Sequence, residues 1–277
     1  MNSSTYNLDL AFQPVLDSAT GEIDHHEIIG RFPHLSVANA ASRVESDTGD
    51  DLGAALDLAL GQGVVTLLQG LPYDRLLLPI SWRSCALELF RVEFDRLLKI
   101  DPSVRQRMIL EFVAADDVFG IEEATNYIAE LRRIGCRICL SEFGATAVSY
   151  RFLQLIDVDY IKIDAGFLTG TTAEPRERML REVAQGLADF DYKGIAKGID
   201  DARLADITAR AGISLGQGDF YGAPQGSLVS NGLPLHLSGG MSGKHGRPFC
   251  LIKVNDSIPG VDDRGMIRRV RSAKMQA

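Results

Sequence analysis

The sequence predicts an α/β fold: a (β/α)8 barrel whose first two strands pair antiparallel, over residues 1–226, with a C-terminal extension over 227–277. Three observations predict it. Eight short strand patterns recur along the chain, most of them followed by a helical pattern. The strands are apolar runs without alternation, as burial on both faces requires. No glycine-rich fingerprint follows any early strand, which disfavours an open doubly wound sheet.

The elements follow in order. "LDLAFQPVLD" (8–17) and "HHEIIGRF" (25–32) read as two strands of a hairpin, with Thr20-Gly21 at its tip. Asp50 and Asp51 open a helix in which Leu52, Ala55, Leu56, Leu58 and Ala59 recur at helical spacing. "RLLLPIS" (75–81) is a buried strand, and "CALELFRVEFDRLLK" a single helix with Leu87, Phe90, Phe94 and Leu97 on one face. "RMILEF" (107–112) precedes a helix over 121–135 that Gly135 ends. "RICLS" (137–141) leads to the short helix "VSYRFLQLI", and "DYIKID" (159–164) to a helix with Pro175 in its first turn. "YKGIAKG" (192–198), the helix "DDARLADITARAG" and the strand "ISLGQG" (213–218) complete the pattern. The run "GQGDFYG" precedes no clear helix and is a weak phosphate loop. In the extension, "RPFCLIKV" (247–254) reads as a strand and "RGMIRRVRSAKMQA" as a basic helix.

Composition narrows the function. With 277 residues, 45% hydrophobic content and a net charge of −8, the chain can bury a large core but does not suit general nucleic-acid or membrane-surface binding. Only the stretch from Gly239 onward is basic, with eight Lys or Arg against three Asp. The opening residues lack a basic region followed by an apolar one, and no apolar run reaches the ~20 residues of a membrane span, so a cytoplasmic protein is expected. Four cysteines do not make a disulfide framework. Cys136 and Cys139 form a C-x-x-C without a second pair, and their odd spacing on a strand sends them to opposite faces, as reduced thiols. His25 and His26 have no matching ligand nearby.

In a parallel barrel, side chains at strand C-termini converge on one mouth. That places Glu27, Arg31, Ser81, Glu111, Ser141, Glu142, Lys162, Asp164, Lys197, Asp200 and Gln217 together: carboxylates interspersed with cations. For each alone, a satisfied surface or core role competes.

These stretches resemble the EAL domain family, bacterial phosphodiesterases of cyclic di-GMP, over roughly residues 8–226. "AFQPVLDSATGEIDHHEIIGR" is similar to the family's Q-P-I-x-D and E-A-L-L-R opening, and "LEFVAAD" to its L-E-L-T-E strand. "LSEFGATA" with "DYIKID" resembles D-D-F-G-T-G and Y-L-K-I-D, and "IAKGID" with "GQGDFYGAP" resembles A-E-G-V-E and Q-G-Y-x-x-G-x-P. The resemblance implies two divalent cations at the mouth that activate a water and clamp the phosphodiester. It implies metal-ligand places for Glu27 and Glu111, a phosphate contact for Arg31, a place near the attacking water for Lys162, and the Q-G-Y glutamine for Gln217.

Other positions depart from the pattern. Pro79 stands at an asparagine ligand, Ser141 at the first aspartate of D-D-F-G, and Glu142 at the second. Lys197 replaces the first glutamate of A-E-G-V-E, and Asp200 the last. An ammonium ~4 Å from a dication costs on the order of 8 kcal/mol at an effective dielectric near 20. The magnesium or manganese site is therefore expected to be lost, and no catalytic residue is expected beyond the remnants Glu27, Glu111, Glu142, Lys162, Lys197 and Asp200. Lys197, with Lys162 and Arg31, would neutralise the remaining carboxylates in place of metal; the alternative is drift after activity was lost. Ser141 has no G-x-S-x-G elbow and no serving histidine, so it is a hydrogen-bonding replacement rather than a nucleophile.

Two kinds of function remain, besides a distant alternative of active hydrolysis. The first is an inactive signalling module that binds a regulatory or structural protein. The second is a receptor that holds cyclic di-GMP without cleaving it, through Gln13, Ile29, Arg31, Gln217 and Pro224. A homodimer is compatible with either, although "FGATAVSY" departs from the family loop that couples the site to dimerisation. The extension would cap the barrel bottom or dock on an acidic partner.

Overall fold

The computed structural model describes residues 8–32, 37–38, 50–71, 74–99, 101–113, 120–144, 148–165, 173–226, 228–230, 233–235 and 249–250. The opening hairpin forms as expected, from β1 (Leu8–Asp17) and β2 (Ile23–Phe32). Asp17 Oδ1 accepts from the Ala19 and Thr20 N–H groups at 2.9 Å, and Gly21 takes a positive φ of 72°. This Asx-type turn is the reason the chain reverses where it does. The short β3 (Val37–Ala38) pairs with the end of β2.

Helix α1 (Asp50–Gly70) then leads into β4 (Leu76–Ile80). The helix expected over 85–99 is two: α2 (Trp82–Ala86) and α3 (Glu88–Leu98). Leu87 between them is extended, at φ −84° and ψ 120°. Arg91 makes the break tenable, because its guanidinium donates to the Cys85 and Ala86 carbonyls that end α2, at 3.0 and 2.8 Å. Phe90, Phe94 and Leu98 form the buried face, with Leu97 only partly covered.

A short helix not read from the sequence, α4 (Pro102–Arg105), comes next, and the rest alternates as read: β5 (Met108–Val113), α5 (Ile121–Arg133), β6 (Arg137–Ser141), α6 (Val148–Leu155), β7 (Tyr160–Asp164), α7 (Ala173–Asp189), β8 (Lys193–Lys197), α8 (Ala202–Ala211) and β9 (Leu215–Gly216). Strands β2, β4, β5, β6, β7, β8 and β9 run parallel in that spatial order. β1 closes the ring by pairing antiparallel with both β2 and β9. Of "ISLGQG" only Leu215–Gly216 enters the ladder.

A separate hairpin, β10 (Leu228–Ser230) with β11 (Leu233–Leu235), follows the barrel. From the expected strand over 247–254, the described part is β12 (Phe249–Cys250), which pairs with Leu8 and Asp9 of β1. Because β1 runs opposite to β2, that end of β1 lies beside Arg31, at the C-terminal mouth rather than at the barrel bottom. The expected basic helix over 264–277 lies outside the described residues.

Strand parity divides the core. Residues such as Ile138 and Leu140 join the large cluster between sheet and helices. Val15, Leu77, Ile109, Cys139, Tyr160, Ile195 and Leu215 form a smaller cluster on the barrel axis. Cys136 belongs to the first and Cys139 to the second, so the C-x-x-C thiols do face apart. Burial pushes the Cys136 thiol up to about 12, which keeps it protonated. Among the described residues no helix is long and apolar enough to cross a membrane.

Candidate functional site

The axial cluster locates the site by counting. Two residues beyond Leu77, Ile109, Cys139, Tyr160, Ile195 and Leu215 stand Pro79, Glu111, Ser141, Lys162, Lys197 and Gln217. Side chains two apart on a strand share a face, so these polar residues form the next layer up the same axis. Gln13 and Glu27 complete it, two residues from Val15 and His25 and directly opposite each other in the hairpin register.

Pro79 sits inside a strand without cost to the ladder. Arg75 accepts a bond from β2 and Leu76 donates to the β5 side, so by alternation Pro79 faces β2. The β2–β4 pairing ends at Glu27 and Leu77, before Pro79 would need an N–H.

Lys162 is the centre of the layer. Its side chain is 1% exposed, and Nζ lies 2.9 Å from Glu27 Oε2 and 3.0 Å from Glu111 Oε1. Burial disfavours the ammonium, yet Glu111 and Glu27 together hold its pKa above the usual lysine value. Burial also acts to raise the Glu27 pKa, but the Lys162 charge and a hydrogen bond from Gln217 Nε2 outweigh it and the net shift is downward. Glu111 goes the other way: burial raises it, the Glu27 charge adds to this, and Lys162 with the Ser141 hydroxyl only partly compensate. One cation thus serves two carboxylates unequally, with Glu27 the firmer anion. Gln217 Nε2 also lies 3.3 Å from Gln13 Oε1, and Gln13 Nε2 donates to the Gly222 carbonyl at 3.3 Å.

A second pair stands at the rim. Lys197 Nζ contacts Glu142 Oε1 and lies 3.9 Å from Asp164 Oδ2. Glu142 has a left-handed φ of 55°, uncommon for a glutamate, in the turn just past β6 where its carboxylate meets Lys197 across the mouth. Asp164, one of the strand-end residues read from the sequence, flanks this pair on β7.

The remaining expected residues are more scattered. Asp200 is exposed and has no ion pair among the described residues. Ile29 and Pro224 are half-buried near the rim. Arg31 keeps its place opposite Asp9 in β2, but its side chain lies outside the described residues. Ser81 is not part of the charged layer; its N–H donates to Asp57 Oδ2 at 2.8 Å, from below α2. Among the described residues no group of three or more His, Cys, Asp or Glu is arranged to hold a metal ion.

Sequence reading missed two features here. Asp57, buried on α1, also accepts from Ser84 Oγ at 2.7 Å and ties α1 to the start of α2. Gly30, the odd residue in "EIIGR", faces outward, and a Cβ there would meet Leu60 of α1 at 2.4 Å. Leu60 fills the space that a side chain at position 30 would take, an exchange that no local motif reports.

Comparison with known proteins agrees with this architecture. The chain is 23% identical over 214 residues to the cyclic di-GMP phosphodiesterase TpdA of Vibrio parahaemolyticus, covering 76% of this chain and 36% of that protein. It is 22% identical over 212 residues to the RNase E specificity factor CsrD of Escherichia coli K12, covering 74% and 32%. The chain thus spans about a third of the length of these relatives. The FimX EAL domain from Pseudomonas aeruginosa, bound to c-di-GMP, superposes with a TM-score of 0.67 at 20% identity, over 78% of this chain and 90% of that one. An EAL domain protein from Listeria monocytogenes EGD-e superposes at 0.66 and 15% identity, over 78% and 88%. Residues 2–224 match the model of the EAL domain, so this chain belongs to the EAL domain family.

Proposed function

We propose that this chain is a catalytically inactive EAL-domain signalling protein that acts through binding, with a protein partner in a bacterial regulatory pathway as its target. The observation that carries the reading is the lysine occupancy of the mouth. Lys162 holds Glu27 and Glu111, and Lys197 holds Glu142 beside Asp164. The donor set does not fit a pair of divalent cations. Pro79 offers no side-chain oxygen, Ser141 spends its hydroxyl on Glu111, and Lys197 brings an ammonium where a dication would need a carboxylate. The remnants Glu27, Glu111, Glu142, Lys162, Lys197 and Asp200 therefore have no catalytic role in this reading. A relative named for specificity toward another protein, the RNase E factor CsrD, supports partner binding as an output of such a chain.

A second reading is favoured by one observation: the chain Gly222–Gln13–Gln217–Glu27 remains hydrogen-bonded across the mouth. With Ile29, Arg31 and Pro224 it would support a receptor for cyclic di-GMP that does not cleave it, and the FimX domain was solved with that ligand. Calorimetric titration with cyclic di-GMP, with and without Mg²⁺ or Mn²⁺, separates the two. No heat at high micromolar ligand is the expected result for the partner-binding protein. Metal-independent binding without turnover selects the receptor, and metal-dependent hydrolysis overturns both.

A further inference from the structure

At the opposite end of the barrel the inward-facing layer is cationic. Arg75, Arg107, Arg137 and Lys193 stand at or just before the starts of β4, β5, β6 and β8. Each lies two residues ahead of an axial residue (Leu77, Ile109, Cys139 and Ile195) and shares its inward parity. Arg107 is used by the fold: its guanidinium donates to the Leu68 and Ser103 carbonyls at 2.8 and 3.0 Å. The other three gather on one phenol. Arg75 and Arg137 both reach the Tyr160 hydroxyl, at 3.5 and 3.0 Å, and the Lys193 ammonium stands 5.9 Å from the ring centre.

One carboxylate faces these three cations. Asp24 Oδ2 is bonded to His25 Nδ1 at 2.8 Å, and only longer contacts, 3.4 and 3.5 Å, run from Asp24 Oδ1 to Arg75 and Lys193. Charge-assisted bonds are ordinarily ~2.7–2.9 Å, so Arg75 and Lys193 are incompletely spent. Arg137 has no carboxylate partner among the described residues. The adjacent Asp159 is already held by Arg132 at 2.6 Å and by the Ile138 N–H at 2.8 Å. Among the described residues three cations face one Asp, a positive excess that the second aspartate on Arg132, Asp157 at 3.1 Å, offsets only in part, in a chain whose net charge is −8.

We propose that this strand-start mouth, opposite the family's site, binds a phosphoryl group bridged by Arg137 and Arg75, with Lys193 completing the charge. A phosphate dianion matches the excess, and two guanidinium forks within reach of one phenolic oxygen are close enough for a single tetrahedral oxyanion to span. The site is recessed, since Tyr160 is buried, yet reachable, since the Arg75 and Lys193 side chains are 29% and 53% exposed. Free phosphate and an anionic lipid headgroup present the same chemistry.

The full chain is titrated with inorganic phosphate by calorimetry, against sodium chloride at matched ionic strength. In parallel, its sedimentation with phosphatidylcholine vesicles is compared with and without phosphatidic acid. Among the described residues Arg137→Gln loses the bond to Tyr160 alone, and it is expected to weaken binding about tenfold in whichever arm shows it. Lys193→Gln, at an exposed position, is expected to weaken it about threefold and stands in if the arginine variant misfolds. Phosphate binding assigns a soluble source, and binding confined to phosphatidate vesicles a lipid one. Absence of both, or binding that neither variant weakens, overturns the proposal. Binding lost in Arg31→Gln instead places the anion at the other mouth and overturns it equally.

Discussion

Lys197 reaches Glu142 on one side and lies 3.9 Å from Asp164 on the other. Its ammonium is the counter-charge that Glu142 contacts at the rim, with Asp164 nearby. Lys197→Glu adds a third carboxylate, and we expect a loss on the order of 2 kcal/mol in metal-free buffer. Urea unfolding checks this, and a variant as stable as wild type would remove the idea that ammonium groups replace metal here. The triple variant Pro79→Asn, Ser141→Asp, Lys197→Glu is expected to gain stability on adding Mg²⁺, whereas wild type gains none. At this scale the sequence was legible for Glu27, Glu111, Lys162 and Gln217, because strand ends and parity fix where such side chains point. It was not legible for the pairing itself. That Lys162 takes Glu27 and Glu111 while Lys197 takes Glu142 depends on distances across four strands and on the left-handed turn at Glu142.

Between elements, the contact of α1 with the start of α2 rests on a buried acid. Asp57 accepts from Ser84 Oγ and the Ser81 N–H, and its Oδ1 has no hydrogen-bond partner among the described residues. Burial pushes its carboxyl up to about 7, more than these two bonds can offset. A carboxyl raised in the fold stabilises most while protonated, below its unfolded pKa of 3.8, and that contribution is lost as pH rises through about 7. The loss is roughly 4 kcal/mol over this window. Asp57→Asn keeps an acceptor for both serines and cannot titrate. The stability difference between variant and wild type, followed by denaturant melts from pH 4 to 8, is expected to move in the variant's favour as pH rises; a constant difference would refute the assignment. The same region shows where element reading failed. Helical spacing continues through Leu87, so the break between α2 and α3 was invisible locally; it depends on Arg91 satisfying the freed carbonyls.

For the whole molecule, closure of the barrel does not involve the extension. β1 pairs with β2 on one side and β9 on the other, and the strand pairing described between residues 227–277 and the barrel is β12 against Leu8 and Asp9. A chain ending at residue 226 is therefore expected to melt cooperatively, within about 3 °C of the full chain by circular dichroism. A molten or aggregated product would show that the extension belongs to the folding unit. The described part of the extension nearest the barrel ladder, β12, lies at the C-terminal mouth.

The sequence by itself determined the strand–helix order, the antiparallel opening pair and the family, because apolar periodicity, turn chemistry and motif order are local properties of a chain. It also determined which residue types stand at each strand end, including Pro79, Ser141 and Lys197. Tertiary structure alone decided which charges meet. The two lysine-centred groups at one mouth, the arginine and lysine cluster around Tyr160 at the other, and Leu60 in the space beside Gly30 all join residues distant in sequence. Their partners are set by barrel closure and strand register, which no local pattern encodes.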